Sequence, residues 1–339
     1  MHEAMFYSPL EEDRVHCRLC HHQCQIAAGK LGICGVRENR GGKLYSLVYG
    51  KAVATNIDPI EKKPLFHLLP GSTSFSVATV GCNFRCRHCQ NWQIAQFPHL
   101  HKREIPGQEL SPQAIVKQAE QAGCASIAYT YTEPTIYFEY AYDTAKLASA
   151  AGLKNVFVSN GYTSFEALRA IAPYLDAANI DLKSFSDDFY RRVCGARLQP
   201  VLDTIRLYRE LGIWLEITTL LIPGYNDDEE QLRQIAEFIC SVGVDIPWHV
   251  TAFYPTHKLL DAPRTPVETL RKARQIGLQA GLRYVYEGNI PGEGGENSYC
   301  HQCGELLIER YGFSIRKNLL QNGRCSCGEA ISGVGMDLS

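Results

Sequence analysis

The 339-residue chain has no apolar run long enough to span a bilayer, which argues against a helical membrane protein. Residues Met1 to Asp13 are acidic and offer neither a basic stretch nor an apolar core, so no secretory signal is expected. One-signed charge is missing too. The formal net charge is −2, with 34 basic and 36 acidic residues mixed along the length, and this gives no general field for nucleic acid or a membrane surface. Internal repeats and low-complexity tracts are also absent. These absences predict a soluble cytoplasmic protein, and its 45% hydrophobic content predicts a sizeable core. The length suits one large α/β domain with small appendages, or two ordinary domains.

Cysteine is what the sequence has in excess. Of 14 cysteines, 11 fall into three groups: 17/20/24/34, 82/86/89 and 300/303/325/327. In a reducing compartment, clustered thiols point to metal or redox chemistry rather than to disulfides. Cys124, Cys194 and Cys240 stand alone and read as small buried hydrophobes.

Three zones follow: a Cys-rich, Pro-punctuated segment over 1–70, a core over 71–290, and a tail over 291–339 that opens with the Gly-rich Pro291–Gly295. In the core, strands are expected at 74–80, 126–131, 154–159, 178–182, 214–221, 249–253 and 283–286. Helices are expected at 112–121, 135–150, 165–171, 201–211, 228–240 and 266–280. Ser111-Pro112 and Asn226-Asp227-Asp228 supply helix-start signals. Strict alternation of strand and helix implies a parallel sheet, either open or curled into a partial barrel. In both architectures chemistry collects at the C-terminal strand ends.

Directly after the first core strand runs Thr79-Val-Gly-Cys82-Asn-Phe-Arg-Cys86-Arg-His-Cys89-Gln-Asn-Trp92. Three thiolates on one loop leave a [4Fe–4S] cluster with one iron open to an exogenous ligand. A tetrahedral zinc would need a fourth ligand, such as His88 or His99. The strand-end position favours the catalytic reading.

A Cys-x3-Cys-x2-Cys loop heading a βα array resembles the radical S-adenosylmethionine (SAM) superfamily. That resemblance implies a (β/α)6-type partial barrel and a cluster that reductively cleaves SAM to a 5′-deoxyadenosyl radical. His88 departs from the aromatic residue usual before the last cysteine. Glu133, in Thr130-Tyr-Thr-Glu133-Pro134, stands where the family's Gly-Gly-Glu motif binds the SAM amino group, although both glycines are missing. The local alternative is a helix-start glutamate. Ser159-Asn160-Gly161, Asp181-Leu-Lys183 and the Pro-Gly-x-x-Asp turn ending at Asp227 are similar to motifs of glycyl-radical-enzyme activases. On that ground Ser159, Asn160, Asp181, Lys183 and His249 are expected near SAM.

Cys17, Cys20, Cys24 and Cys34 suit a tetrathiolate zinc or a second iron–sulfur cluster. In the tail, Cys300-x2-Cys303-Gly and Cys325-x-Cys327-Gly resemble a zinc ribbon, with the second knuckle one residue short. The order of motifs, including Gly-Ile-Cys34-Gly-Val-Arg and Asp58-Pro-Ile-Glu-Lys-Lys-Pro64-Leu-Phe-His67, resembles the radical SAM member of the AmmeMemoRadiSam system, whose core is similar to pyruvate-formate-lyase activating enzymes. The implied partners are SAM, a protein, peptide or small-molecule substrate, a reductant such as flavodoxin or ferredoxin, and AMMECR-like and Memo-like proteins. The rival reading is a non-catalytic metal-binding or nucleic-acid-binding module.

Overall fold

A computed structural model describes residues 2–337. Its centre is one eight-stranded sheet. Seven strands are parallel: β2 (Thr73–Ala78), β3 (Ser126–Tyr129), β4 (Lys154–Ser159), β5 (Ala177–Asp181), β6 (Trp214–Leu221), β7 (Trp248–Ala252) and β8 (Val285–Gly288). They lie side by side in chain order. An additional edge strand, β1 (Ala54–Pro59), pairs antiparallel with β2, Ala54 opposite Ala78. All seven parallel strands coincide with expected ones to within a few residues. β1 was not foreseen, and through it the N-terminal 70 residues build one edge of the core sheet.

Between the strands run α1 (Pro112–Gln121), α2 (Phe138–Ala150), α3 (Phe165–Ile171), α4 (Leu198–Glu210), α5 (Glu229–Val242) and α6 (Val267–Gln279). The strands are almost wholly buried, as expected when parallel strands are covered on both faces. Local sequence sets the helix starts. Ser111 Oγ accepts from Ala114 N at 3.2 Å and Asp228 Oδ1 from Gln231 N at 2.9 Å, caps worth about 1 kcal/mol each. Asn226 does a different job: its Oδ1 accepts from Ile222 N and its Nδ2 donates to the Lys183 carbonyl at 2.6 Å, tying the turn after β6 to the end of β5.

The N-terminal segment adds short antiparallel strands whose interior is continuous with the main core through Val15, Leu19, Ile26 and Val36. The tail forms a three-stranded antiparallel sheet over Ser298–Tyr299, Leu306–Tyr311 and Ser314–Asn318, with its own small core. No helix among the described residues is long and apolar enough to cross a membrane.

Candidate active site

The loop that leaves β2 is packed against the N-terminal segment. Gly81 has φ +101°, and a Cβ there would lie 2.6 Å from Val36 Cγ1 and 3.1 Å from the Cys34 carbonyl, so only glycine fits. Beyond it, Arg85 N donates to Cys194 O at 2.8 Å and Arg87 N to Val193 O at 2.9 Å. Both acceptors sit on a single π-helical turn, Tyr190–Cys194, a bulge of a kind frequent at functional sites. Cys194 is fully buried in the core, as expected for an isolated cysteine, and in addition its thiol, Cys86 Sγ and a His88 ring nitrogen lie within 4.8 Å of one another. No spacing in the sequence announced that contact, because a chain reversal of over a hundred residues creates it.

Cys82, Cys86 and Cys89 line one cavity of about 440 Å³. Burial pushes the Cys82 thiol up, and pushes that of Cys89 to about 12, so neither ionises without a metal to take the proton's place. Cys86 is held lower, first by its hydrogen bond with Cys194. Two buried polar atoms facing this cavity lack protein partners: His88 Nδ1 and Thr218 Oγ1. A polar occupant would satisfy both.

Strand-end residues form the walls. Glu133, fully buried, accepts from Thr135 N (3.0 Å), Thr135 Oγ1 (2.6 Å), Ser159 Oγ (2.8 Å) and Asn160 N (2.8 Å). It therefore caps the short 3-10 helix Pro134–Tyr137 and clamps the ends of β3 and β4. Burial raises its pKa, and those donors pull the other way. Asn160 Nδ2 donates to Asn83 Oδ1 at 2.7 Å and stands 3.9 Å from Cys82 Sγ. Lys183 Nζ meets Asp181 Oδ2 at 2.8 Å. Burial opposes the charge on Lys183, but Asp181 and the thiols of Cys86 and Cys194 outweigh it and hold the ammonium above its ordinary range.

Sequence reasoning missed the rim. Lys62, Lys63 and Pro64, Tyr131, Asn289 and Phe313 all line the cavity. Asp58 organises part of it: it pairs with Lys62 Nζ (2.8 Å) and Lys63 Nζ (2.6 Å) and accepts from the Tyr131 hydroxyl. Phe313, at the tip of the tail hairpin, is half-exposed and brings the C-terminal zone to the cavity mouth.

His249 departs from expectation. It does not line the cavity; its Nε2 donates to Glu216 Oε2 at 2.7 Å, away from solvent. The physical reason is Glu216, a fully buried carboxylate on β6 that also takes Phe66 N (3.0 Å), His67 N (2.8 Å) and Trp214 Nε1 (3.1 Å). A buried anion needs such donors, and His249 is one of them. From β7 it is Thr251, two residues on, that reaches the cavity.

The tail cysteines converge: Cys300, Cys303, Cys325 and Cys327 place their sulfurs within 4.8 Å of one another, with Cys300–Cys327 at 3.7 Å and Cys303–Cys325 at 3.6 Å. Cys17, Cys20, Cys24 and Cys34 instead surround a separate closed cavity.

Comparison with known proteins agrees with this geometry. The radical SAM superfamily profile matches residues 76–239. An uncharacterized protein of Methanocaldococcus jannaschii is 49% identical over 338 residues, covering 98% of this chain and 100% of that one. The pyruvate formate-lyase-activating enzyme of Clostridium pasteurianum is 22% identical over 61% of this chain and 89% of its own. Among solved structures, a radical SAM methyltransferase from Sphaerobacter thermophilus superposes with a TM-score of 0.51 at 16% identity, over 70% of this chain and 71% of that one, a likeness of fold. The chain belongs to the radical SAM superfamily. The family implies a [4Fe–4S] cluster and SAM, and three cysteines on one cavity with unpartnered polar groups fit that pair.

Proposed function

We propose that the protein cleaves SAM reductively at a [4Fe–4S] cluster ligated by Cys82, Cys86 and Cys89, and uses the resulting radical to take hydrogen from a substrate. The observation that carries this reading is the convergence on one cavity of these thiols with Glu133, Ser159, Asn160, Asp181 and Lys183, which arrive from successive strand ends. When bound, the cluster supplies the electron that breaks a C–S bond of SAM, with its open iron free for SAM itself. The chain's own residues bind and orient. Lys183 offers a cation, Asp181 and Glu133 carboxylates, and Asn160 an amide beside Cys82. Lys62 and Phe313 at the rim meet whatever enters, a protein, peptide or small-molecule substrate.

In this reading the strands and helices of the core (71–290) form a partial (β/α)6-type barrel with the site at its C-terminal strand ends, flanked by a Cys-rich lobe (1–70) and a zinc-ribbon-like tail (291–339). Four converging tail sulfurs support zinc there. Similarity to pyruvate formate-lyase-activating enzyme supports activation of a protein as the model reaction. A cytoplasmic flavodoxin or ferredoxin would be the reductant, and the motif order supports AMMECR-like and Memo-like proteins as partners. A non-catalytic module finds no support in the superfamily match.

The test is anaerobic reconstitution followed by EPR with and without SAM, and an assay for 5′-deoxyadenosine. Wild type should give a reduced-cluster signal that changes on adding SAM. The triple replacement Cys82→Ala/Cys86→Ala/Cys89→Ala should abolish both the SAM-responsive signal and deoxyadenosine. A triple mutant that retains either sinks the assignment.

A further inference from the structure

The N-terminal cysteines come from separate pieces of chain. Cys17 ends the strand Val15–Cys17, Cys24 precedes Gln25–Ile26, and Cys34 precedes Arg37–Arg40. With Cys20 they line one closed cavity together with Gly32, Arg37 and Asn83. Their arrangement differs from that of the tail. Zinc bonds of about 2.3 Å hold tetrahedral thiolates roughly 3.8 Å apart, and the tail sulfurs at 3.6 and 3.7 Å match that. Among the described residues, no three of the N-terminal sulfurs lie within 4.8 Å of one another. A cubane cluster requires such spreading, because each thiolate binds a different iron.

Two further features favour the larger group. A Cβ on Gly32 would sit 3.9 Å from both Cys24 Sγ and Cys34 Sγ, so glycine leaves the space between them open. Two buried N–H donors on the cavity wall, Asn83 Nδ2 and Arg37 Nε, have no protein partner. The Arg37 charge is already balanced by Glu139 at 2.8 Å. What remains is N–H groups beside sulfur, and hydrogen bonds to sulfur are one lever that tunes iron–sulfur clusters.

We propose that Cys17, Cys20, Cys24 and Cys34 hold a second [4Fe–4S] cluster, which passes electrons to the cluster at Cys82, Cys86 and Cys89. The receiving end rests on the function proposed above; the second cluster itself does not. Four thiolates leave no open iron, so this cluster carries electrons rather than SAM. Its cavity and the active-site cavity share no lining residue, yet Asn83, on the wall of the first, lies between Cys82 and Phe84 of the second. The Asn83 side chain reaches Asn160, which stands beside Cys82 Sγ, and the Cys34 carbonyl packs against Gly81. One electron from a low-potential protein donor of the flavodoxin or ferredoxin class enters here, crosses this contact, and is consumed in breaking one C–S bond of SAM.

The experiment is iron and sulfide analysis with Mössbauer spectroscopy on full-length chains reconstituted anaerobically. Wild type should hold about eight irons, and the Cys82→Ala/Cys86→Ala/Cys89→Ala chain about four, still as a cubane. Zinc without iron in that triple mutant overturns the second cluster while leaving the SAM site standing. Four irons in it, with no SAM-responsive signal in wild type, instead overturns the receiving site. The relay has its own readout in Cys24→Ser/Cys34→Ser. The ratio of dithionite-driven to flavodoxin-driven deoxyadenosine formation should rise by an order of magnitude. An unchanged ratio overturns the relay, and wild-type iron content alone decides the cluster if this variant fails to fold.

Discussion

Two levels of the same strands behave in opposite ways. At the C-terminal ends, Thr218 and Thr251 face a cavity in which Thr218 Oγ1 and His88 Nδ1 find no partner. Two residues earlier on the same strands, Glu216 and His249 sit in a network that is dense and almost fully paired. Arg310 donates to Ser298 Oγ at 2.8 Å, Ser298 meets Tyr286 OH at 2.7 Å, Tyr286 meets His67 Nε2 at 2.6 Å, and His67 Nδ1 donates to Ser332 O at 2.7 Å. This lower level binds the tail and the 61–67 segment to the sheet; the upper level leaves donors for a ligand. The difference teaches that polar residues inside a fold divide by satisfaction, not by polarity. An unpaired polar atom on a cavity marks a place where something binds.

The largest effect should come from breaking the lower level at its centre. Glu216→Ala strands four buried donors, and loss of one partner from a buried ionic network costs about 3–5 kcal/mol. Denaturant unfolding of the apoprotein measures it. A loss under about 1 kcal/mol would show that the network is not structural, and would return His249 to the list of available side chains. The tail should respond less. Cys300→Ser/Cys303→Ser should release zinc and speed proteolysis beyond Gly295, while Arg310, buried against Phe66 O at 3.0 Å, keeps the hairpin docked. Deoxyadenosine formation lost along with the zinc, with iron at Cys82, Cys86 and Cys89 intact, would place the tail within the active site.

Much of this was legible from sequence, for a physical reason. Strands covered on both faces read as continuous apolar runs, and the amphipathic helices between them read at their own period. β1 escaped because it is an edge strand, Ala-Thr-Asn-Ile-Asp-Pro, exposed along much of its length and lacking an apolar run. His249 was misplaced because a period of two fixes the face of a strand but not the depth along it. Lys63 and Phe313 reach the cavity, and Cys194 reaches Cys86 and His88, through long-range packing, which leaves no local pattern. The cysteine loop needed no such help, since its three thiols share one turn of chain.

Acid should separate the levels more gently. Burial holds the His67 imidazole down at about 4, against an ordinary value near 6.5, with Glu216 pulling the other way and Arg310 and His249 adding to the depression. Below pH 6.5 the unfolded chain takes up this proton and the folded chain refuses it until about pH 4. The stabilisation from neutral His67 is therefore complete above pH 6.5 and is lost as pH falls toward 4, by about 2 kcal/mol between pH 7 and 5. Neutrality also suits the bonds, since Nδ1 must donate to a carbonyl while Nε2 accepts from Tyr286. Thermal midpoints of wild type and His67→Asn across this range provide the measurement. Parallel curves would mean that His67 is not the group responsible.

The smallest effect tests whether the upper level binds at all. Asp181 and Lys183 line the cavity, and Asp181 is more than one-third exposed to it, so solvent screens their pairing and stability should depend little on it. Asp181→Asn keeps the shape and removes the charge. It should leave iron content and the thermal midpoint near wild type while weakening SAM binding about tenfold, equivalent to about 1.4 kcal/mol. Calorimetric titration of reconstituted protein with SAM reads this directly. Lys183→Met sharpens it by removing the cation that Asp181, Cys86 and Cys194 keep charged. If both variants bind SAM as wild type does, the pair is an ion pair of the fold and belongs with Glu216 and His249. If either weakens SAM while its iron stays in place, the pair acts on the cofactor rather than on the cluster, as its distance along the strands from the Glu216 network implies.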